Sequence, residues 1–163
     1  MKLLSTIAII IPCIIVIFLT VHITGDCNNP APNSCNFYTD CLEKKFHCGA
    51  TGYQIKYGLK YCEKFKNSRN LFTSRGKKWI TDTMLCLQNA LVPTYNSNAT
   101  TCSEITKTAF DSHPDCYVNS GLCTIPKDWY NIFATIGVHE LFGNKETFLT
   151  MVNGELLRDV GHN

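Results

Sequence analysis

Nine cysteines crowd between Cys27 and Cys123, and the chain beyond them holds none. What precedes them fixes their chemistry. Lys2 is followed by an apolar stretch without a charged residue from Leu3 to Val21, the pattern of a secretory signal. Its length approaches that of a bilayer span. The expectation is a signal peptide over residues 1–25, cut after Gly25, with the rest of the chain secreted into the extracellular space. In an oxidising compartment this cysteine density reads as a disulfide framework rather than a metal or redox centre. Nine is an odd number, so one thiol is left over from intrachain pairing.

The remainder suits one small domain with an adequate but not generous core. Its charge is uneven. Glu43 to Lys78 holds ten Lys or Arg against Glu43 and Glu63, net +8, whereas Trp79 to Asn163 is net −5. A basic patch of this kind suits sulfated glycans or anionic lipid heads. Lys60, Lys64, Lys66, Arg69, Arg75, Lys77 and Lys78 are its candidate anion-binding residues. The competing explanation is that these side chains line the solvated faces of helices. Secretion sets nucleic acid aside as a partner.

Periodicity points to an all-α fold. From Cys35 to Cys48 cysteines recur every six or seven residues, which reads as short helical turns held by cross-links. In "GYQIKYGLKYCEKFKN", Ile55, Leu59 and Cys62 share a face widened by Tyr61 and Phe65, with Gly58 weakening the helix. "FTSRGKKWITDTMLCLQNALV" is the clearest helix. Thr73 or Ser74 can cap it, Ile80, Met84, Leu87 and Leu91 form one stripe, and Trp79, Thr83, Cys86 and Ala90 the next. Pro93 ends it. Asn98-Ala99-Thr100 is an N-glycosylation sequon. "TCSE" is a capping box, Thr101 with Glu104, before an apolar face of Ile105, Ala109 and Phe110 that Pro114 kinks or ends. Pro126 opens a further helix with Trp129, Ile132, Phe133 and Ile136 buried and Gly143 at its close. A last helix, capped by Asn144, gathers Phe148, Met151, Val152 and Leu156.

Catalytic patterns fail in turn. His139-Glu140 lacks the second histidine of a zinc-protease helix. "DSHPD" offers Asp111, His113 and Asp115, but calcium requires six to eight oxygens. No cysteine has another in zinc-knuckle or dithiol spacing. A secreted phospholipase would need paired cysteines beside a His-Asp site, and His47-Cys48-Gly49 is only an echo of one. No catalytic residue, metal or cofactor is expected.

From Cys62 the cysteine intervals are 24, 16, 14 and 7 residues, through Cys86, Cys102, Cys116 and Cys123. With "YCEKF", the "FTSRGKKWITDTMLCLQNALV" helix and "TCSEITKTAFDSHPDCYVNSGLCTI", this ladder resembles the stanniocalcins, secreted glycoprotein hormones linked to calcium and phosphate handling. The likeness runs from Cys27 to Pro126, strongest from Cys62 to Cys123, which leaves residues 127–163 as a helical C-terminal extension of the 26–126 domain. The resemblance implies Cys27–Cys41, Cys35–Cys62, Cys48–Cys102 and Cys86–Cys116 disulfides. Spacing alone does not choose among the 105 pairings open to eight cysteines. This sequence lacks the family's later cysteines, including the one that links two chains. Cys123 is therefore the candidate for an interchain disulfide in a homodimer, the alternative being a free buried thiol or a mixed disulfide with a small thiol. The resemblance implies a hormone-like ligand for a cell-surface receptor, not an enzyme. The alternative is a secreted, disulfide-rich helical toxin or effector.

Overall fold

A computed structural model describes residues 26–98 and 100–137. The expected signal peptide and the helix after Asn144 lie outside the described residues. Among those described, the chain forms helices and turns only, with no strand.

A turn-rich lead runs into a π-helical segment, Phe37–Glu43, continued by the single turn Lys44–Phe46. His47 closes that turn in the left-handed region at φ 50°. A second π-helical segment, Gln54–Leu59, leads directly into helix α1, Lys60–Ser68. Then follow α2, Ser74–Ala90, the short α3, Val92–Asn96, α4, Cys102–Asn119, and α5, Trp129–Ile136. The two π-helical segments pack on each other, α2 on α4, and α5 on α1.

The Cys35–Cys48 region differs from a set of cross-linked turns lacking a core. Phe37, Tyr38 and Leu42 are fully buried and join the central cluster with Phe65, Trp79, Ile80 and Ile105. Gly58 is what lets Tyr38 in. A Cβ there would lie 2.5 Å from two ring carbons of Tyr38, so the position that weakens the helix on propensity is required by packing. The apolar face of this stretch also shifts. Gln54, Gly58, Cys62 and Phe65 are buried, while Ile55 and Leu59 are only partly so. The wider π turn rotates the residues before Lys60 away from the face that a 3.6-residue period assigns them.

Helix α2 follows its pattern more closely. The Thr73 hydroxyl accepts from the Gly76 amide at 3.2 Å, and Ile80, Met84 and Leu91 are buried. Pro93 does not itself stop the helix. It sits in the first turn of α3, where its missing N–H costs nothing, after α2 has ended at Ala90. Helix α4 begins with the reciprocal Thr101–Glu104 pair, at 3.2 Å from the Glu104 amide and 2.6 Å from the Thr101 amide. It runs as one helix through Pro114 to Asn119, so Pro114 does not end it. Packing against α2, the Cys86–Cys116 bond and the Trp79 indole donating to the Tyr117 carbonyl at 3.1 Å hold its last turn in place.

Helix α5 ends at Ile136, capped by Gly137 at φ 91°, and the expected closure at Gly143 lies outside the described residues. Of its expected buried residues only Ile132 is fully enclosed. Ile136 is partly covered, and Trp129 and Phe133 are exposed. The helix lies across α1, with the Ser68 and Thr135 hydroxyls 3.3 Å apart and the Asn131 amide donating to the Leu71 carbonyl at 2.8 Å. Only the narrow stripe facing α1 is enclosed.

Candidate functional site

Two surfaces meet on α1. One is the basic face, the other an aromatic cavity, and they share a rim of tyrosines.

Helix α1 carries Lys60, Lys64 and Lys66, and the first turn of α2 carries Arg75, Lys77 and Lys78. The structure sorts these candidates. Lys66 pairs with Glu63 at 3.5 Å, and Lys78 pairs with Asp82 one helical turn away. Such exposed pairs exchange freely with solvent and contribute little stability, so both lysines remain accessible to an anion. Arg69 is different. Its guanidinium donates to Asn33 Oδ1 at 2.7 Å and Thr81 Oγ1 at 2.6 Å, tying the lead segment to α2, so its planar fork is committed to the fold. Lys60 and Lys64 lie over the Tyr61 ring at 4.9 and 5.1 Å, and Lys56 lies over Tyr57 at 5.5 Å. Cation–π contact holds these ammonium groups along one edge of α1 and the π-helical turn before it.

Beneath that edge lies a cavity of about 100 Å³ between Gln54–Leu59, α1, α2 and α4. Its walls include Tyr53, Phe65, Trp79, Phe110, His113 and Tyr117. The rings are locked together. Tyr53 meets Phe110 edge-on at 5.5 Å, His113 stacks on Tyr117 at 5.4 Å with 8° between the planes, and Phe65 meets Trp79 at 5.8 Å. The Tyr53 hydroxyl lies 3.2 Å from His113 Nε2. Enclosure by rings disfavours charge throughout. Desolvation pushes the His113 imidazole down to about 4 and the Tyr117 phenol up to about 12, and raises the Tyr53 phenol well above its ordinary value. His113 is thus a neutral aromatic wall at physiological pH. Asp111 turns outward to Lys107 at 2.5 Å, so "DSHPD" splits between cavity and solvent rather than converging on a cation. Among the described residues no cluster of His, Cys, Asp or Glu is placed to hold a metal.

Eight cysteines form the bonds Cys27–Cys41, Cys35–Cys62, Cys48–Cys102 and Cys86–Cys116. Cys86, half-buried on α2, thereby joins the two long helices, and Cys48–Cys102 ties the start of α4 to the π-helical region. Cys123 lies in the turn Leu122–Thr124 and is exposed. Asn98 is exposed in the loop before α4, and the Thr100 hydroxyl donates to the Thr94 carbonyl at 3.2 Å.

Periodicity missed the buried polar residues. Gln88 is fully buried and donates to the Ser34 and Met84 carbonyls at 2.9 and 3.0 Å. Asp128, also buried, accepts from the Thr73 amide at 2.8 Å and the Thr73 hydroxyl at 2.6 Å. A carboxylate at the start of α2 is favoured by the unpaired amides and helix dipole there. The signal was Gly76, since a Cβ at that position would meet the Asp128 carboxylate at 2.5 Å. A glycine tolerated in a first turn is in fact the floor of a cap contributed from 52 residues further along the chain.

A model of the stanniocalcin family matches residues 20–159. The likeness therefore extends past Pro126, where the sequence motifs stop being recognisable, and takes in Asp128 and α5. No curated protein and no solved structure matches the chain.

Proposed function

Because the chain belongs to the stanniocalcin family, we propose that it is a secreted extracellular signalling ligand that acts by binding rather than by catalysis. The observation that carries this reading is the scaffold itself: four disulfides join the lead, the π-helical region, α1, α2 and α4 into a cross-linked unit. A protein facing the extracellular medium gains persistence from such cross-links. Nothing in the cavity favours general acid–base work, since His113 is held neutral among aromatic rings rather than poised near physiological pH.

The binding surface of this ligand is the basic edge formed by Lys60, Lys64, Lys66, Arg75, Lys77 and Lys78, and its partner is a cell-surface receptor approached through sulfated glycan. Arg69 is left out of this surface because it holds the fold together. Regulation of calcium or phosphate transport is the physiological role that family membership suggests. Glycosylation at Asn98 and a homodimer joined through Cys123 complete the proposal, both supported by exposure of the residues concerned.

Chromatography of the secreted protein on immobilised heparin tests the surface. The wild type is retained at physiological salt, and Lys60→Glu with Lys64→Glu elutes at markedly lower salt, because fewer ion pairs release fewer counterions. Elution of wild type and variant together in the flow-through removes the glycan-docking reading. Calcium or phosphate uptake by epithelial cells given the protein tests the physiological role, which fails if uptake is unchanged at saturating cell-surface binding.

A further inference from the structure

We propose that the aromatic cavity between Gln54–Leu59, α1, α2 and α4 is a binding site for a small, neutral, ring-sized molecule bearing one hydroxyl, with Thr83 as its hydrogen-bonding partner. Three observations converge on this chemistry. The first is size. A cavity of about 100 Å³ is somewhat smaller than the roughly 150 Å³ apolar cavity known to take up benzene, so with modest side-chain adjustment one ring is the largest group it accepts.

The second is polarity. Among its described lining residues there is no Lys, Arg, Asp or Glu, and the imidazole of His113 is neutral by virtue of its ring neighbours. A charged ligand entering such walls loses its hydration and gains no counter-charge. The lysines nearby do not change this, because Lys56, Lys60 and Lys64 sit over the Tyr57 and Tyr61 rings and do not line the cavity.

The third is Thr83. It is only 4 % exposed, it lines the cavity, and its hydroxyl oxygen has no hydrogen-bond partner among the described residues. Helical threonines ordinarily donate to the carbonyl one turn back, as Thr81 does to Lys77 at 3.2 Å. Thr83, two residues on, does not. A buried hydroxyl left without a partner carries a desolvation penalty, and a valine would fill the same space without it. A hydroxyl-bearing guest relieves that penalty, because a threonine hydroxyl both donates and accepts. Several lining residues, Leu87 and Ile136 among them, are partly exposed, and a ring enters past Leu87.

The test uses the full-length secreted protein, with benzene, phenol and benzoate as probes, followed by NMR chemical-shift perturbation of the Thr83 and Ile80 methyl groups. The wild type binds phenol about fivefold more tightly than benzene, the advantage of one hydrogen bond, and ignores benzoate. Thr83→Val retains benzene and loses the preference for phenol. Thr83→Ser, which keeps the hydroxyl, retains it and guards against a merely structural effect of the valine. Leu87→Trp closes the mouth and weakens both neutral probes at least tenfold. Absence of binding by the wild type, equal affinity for phenol and benzene, or a phenol preference that survives Thr83→Val each overturns the proposal.

Discussion

The region before Ser74 and the α2–α4 pair reach helical structure by different routes. Helices α2 and α4 are long, side-chain-capped at their N-termini and apolar on one face, and the Cys86–Cys116 bond adds to an arrangement the sequence already favours locally. The Phe37–Glu43 and Gln54–Leu59 segments are short, have no side-chain cap and adopt the wider π turn. Their stability comes from outside: the Cys27–Cys41 and Cys35–Cys62 disulfides, and the ring of Tyr38 set against Gly58. Where local preference is strong a cross-link is an addition. Where it is weak, the cross-link and the close contact define the structure.

The largest expected effect separates the two regions directly. Cys35→Ala with Cys62→Ala, and Cys86→Ala with Cys116→Ala, open loops of similar length, 27 and 30 residues, so each costs about 3 kcal/mol in the unfolded chain. The consequences differ in kind. Far-ultraviolet circular dichroism shows a clear loss of helix for the first pair and near-wild-type helix for the second, with only the melting temperature lowered. Equal loss of helicity in both erases the distinction.

Gly58→Ala is the next probe. Alanine favours helix by about 1 kcal/mol over glycine on propensity, yet overpacking against Tyr38 costs about 1–3 kcal/mol. A net loss of stability in urea unfolding is expected. A gain means that the Tyr38 contact yields easily and does not fix the π-helical region.

The pH response belongs to the cavity between the regions. His113 titrates near 6.5 when unfolded and near 4 when folded. As pH falls from 6.5 towards 4 the unfolded chain takes up a proton that the folded chain does not, so stability falls across that window and levels off below it. The ring is only partly enclosed, which trims the effect to about 2 kcal/mol. Unfolding of wild type and His113→Phe at pH 7 and pH 4.5 measures it, and the phenylalanine variant loses less on acidification. The smallest effect is at α4, where Thr101→Ala removes a capping hydroxyl at a cost of about 1 kcal/mol without altering the π-helical region.

Sequence pattern is informative where structure is local, and this chain illustrates the limit on both sides. Thr73, Thr101, Glu104 and the Ile80–Met84 stripe act over one or two turns, so their roles are visible in order along the chain. Gly58 looks like a weakness until Tyr38 is brought to it. Gly76 looks merely tolerated until Asp128 arrives from the far end of the described chain. Pro114 offers a helix end that tertiary contacts override. The basic face is legible as composition, but the commitment of Arg69 to Asn33 and Thr81 is not, because nothing in the spacing brings residues 33, 69 and 81 together. The disulfide pairing is of the same kind. Spacing leaves it open, and only a resemblance to a family supplies it. The cavity is the least legible feature, since Tyr53, Thr83, Phe110 and Tyr117 come from three elements and read separately as ordinary core positions.

Peptide mapping of the secreted protein by mass spectrometry without reduction tests the stapled scaffold most directly. The account predicts the cross-linked pairs Cys27–Cys41, Cys35–Cys62, Cys48–Cys102 and Cys86–Cys116, together with a peptide in which Cys123 is joined to Cys123 of a second chain. Cys86 joined to any residue other than Cys116, or Cys48 to any other than Cys102, contradicts the scaffold. A Cys123 peptide found only in monomer contradicts the dimer and leaves the scaffold standing.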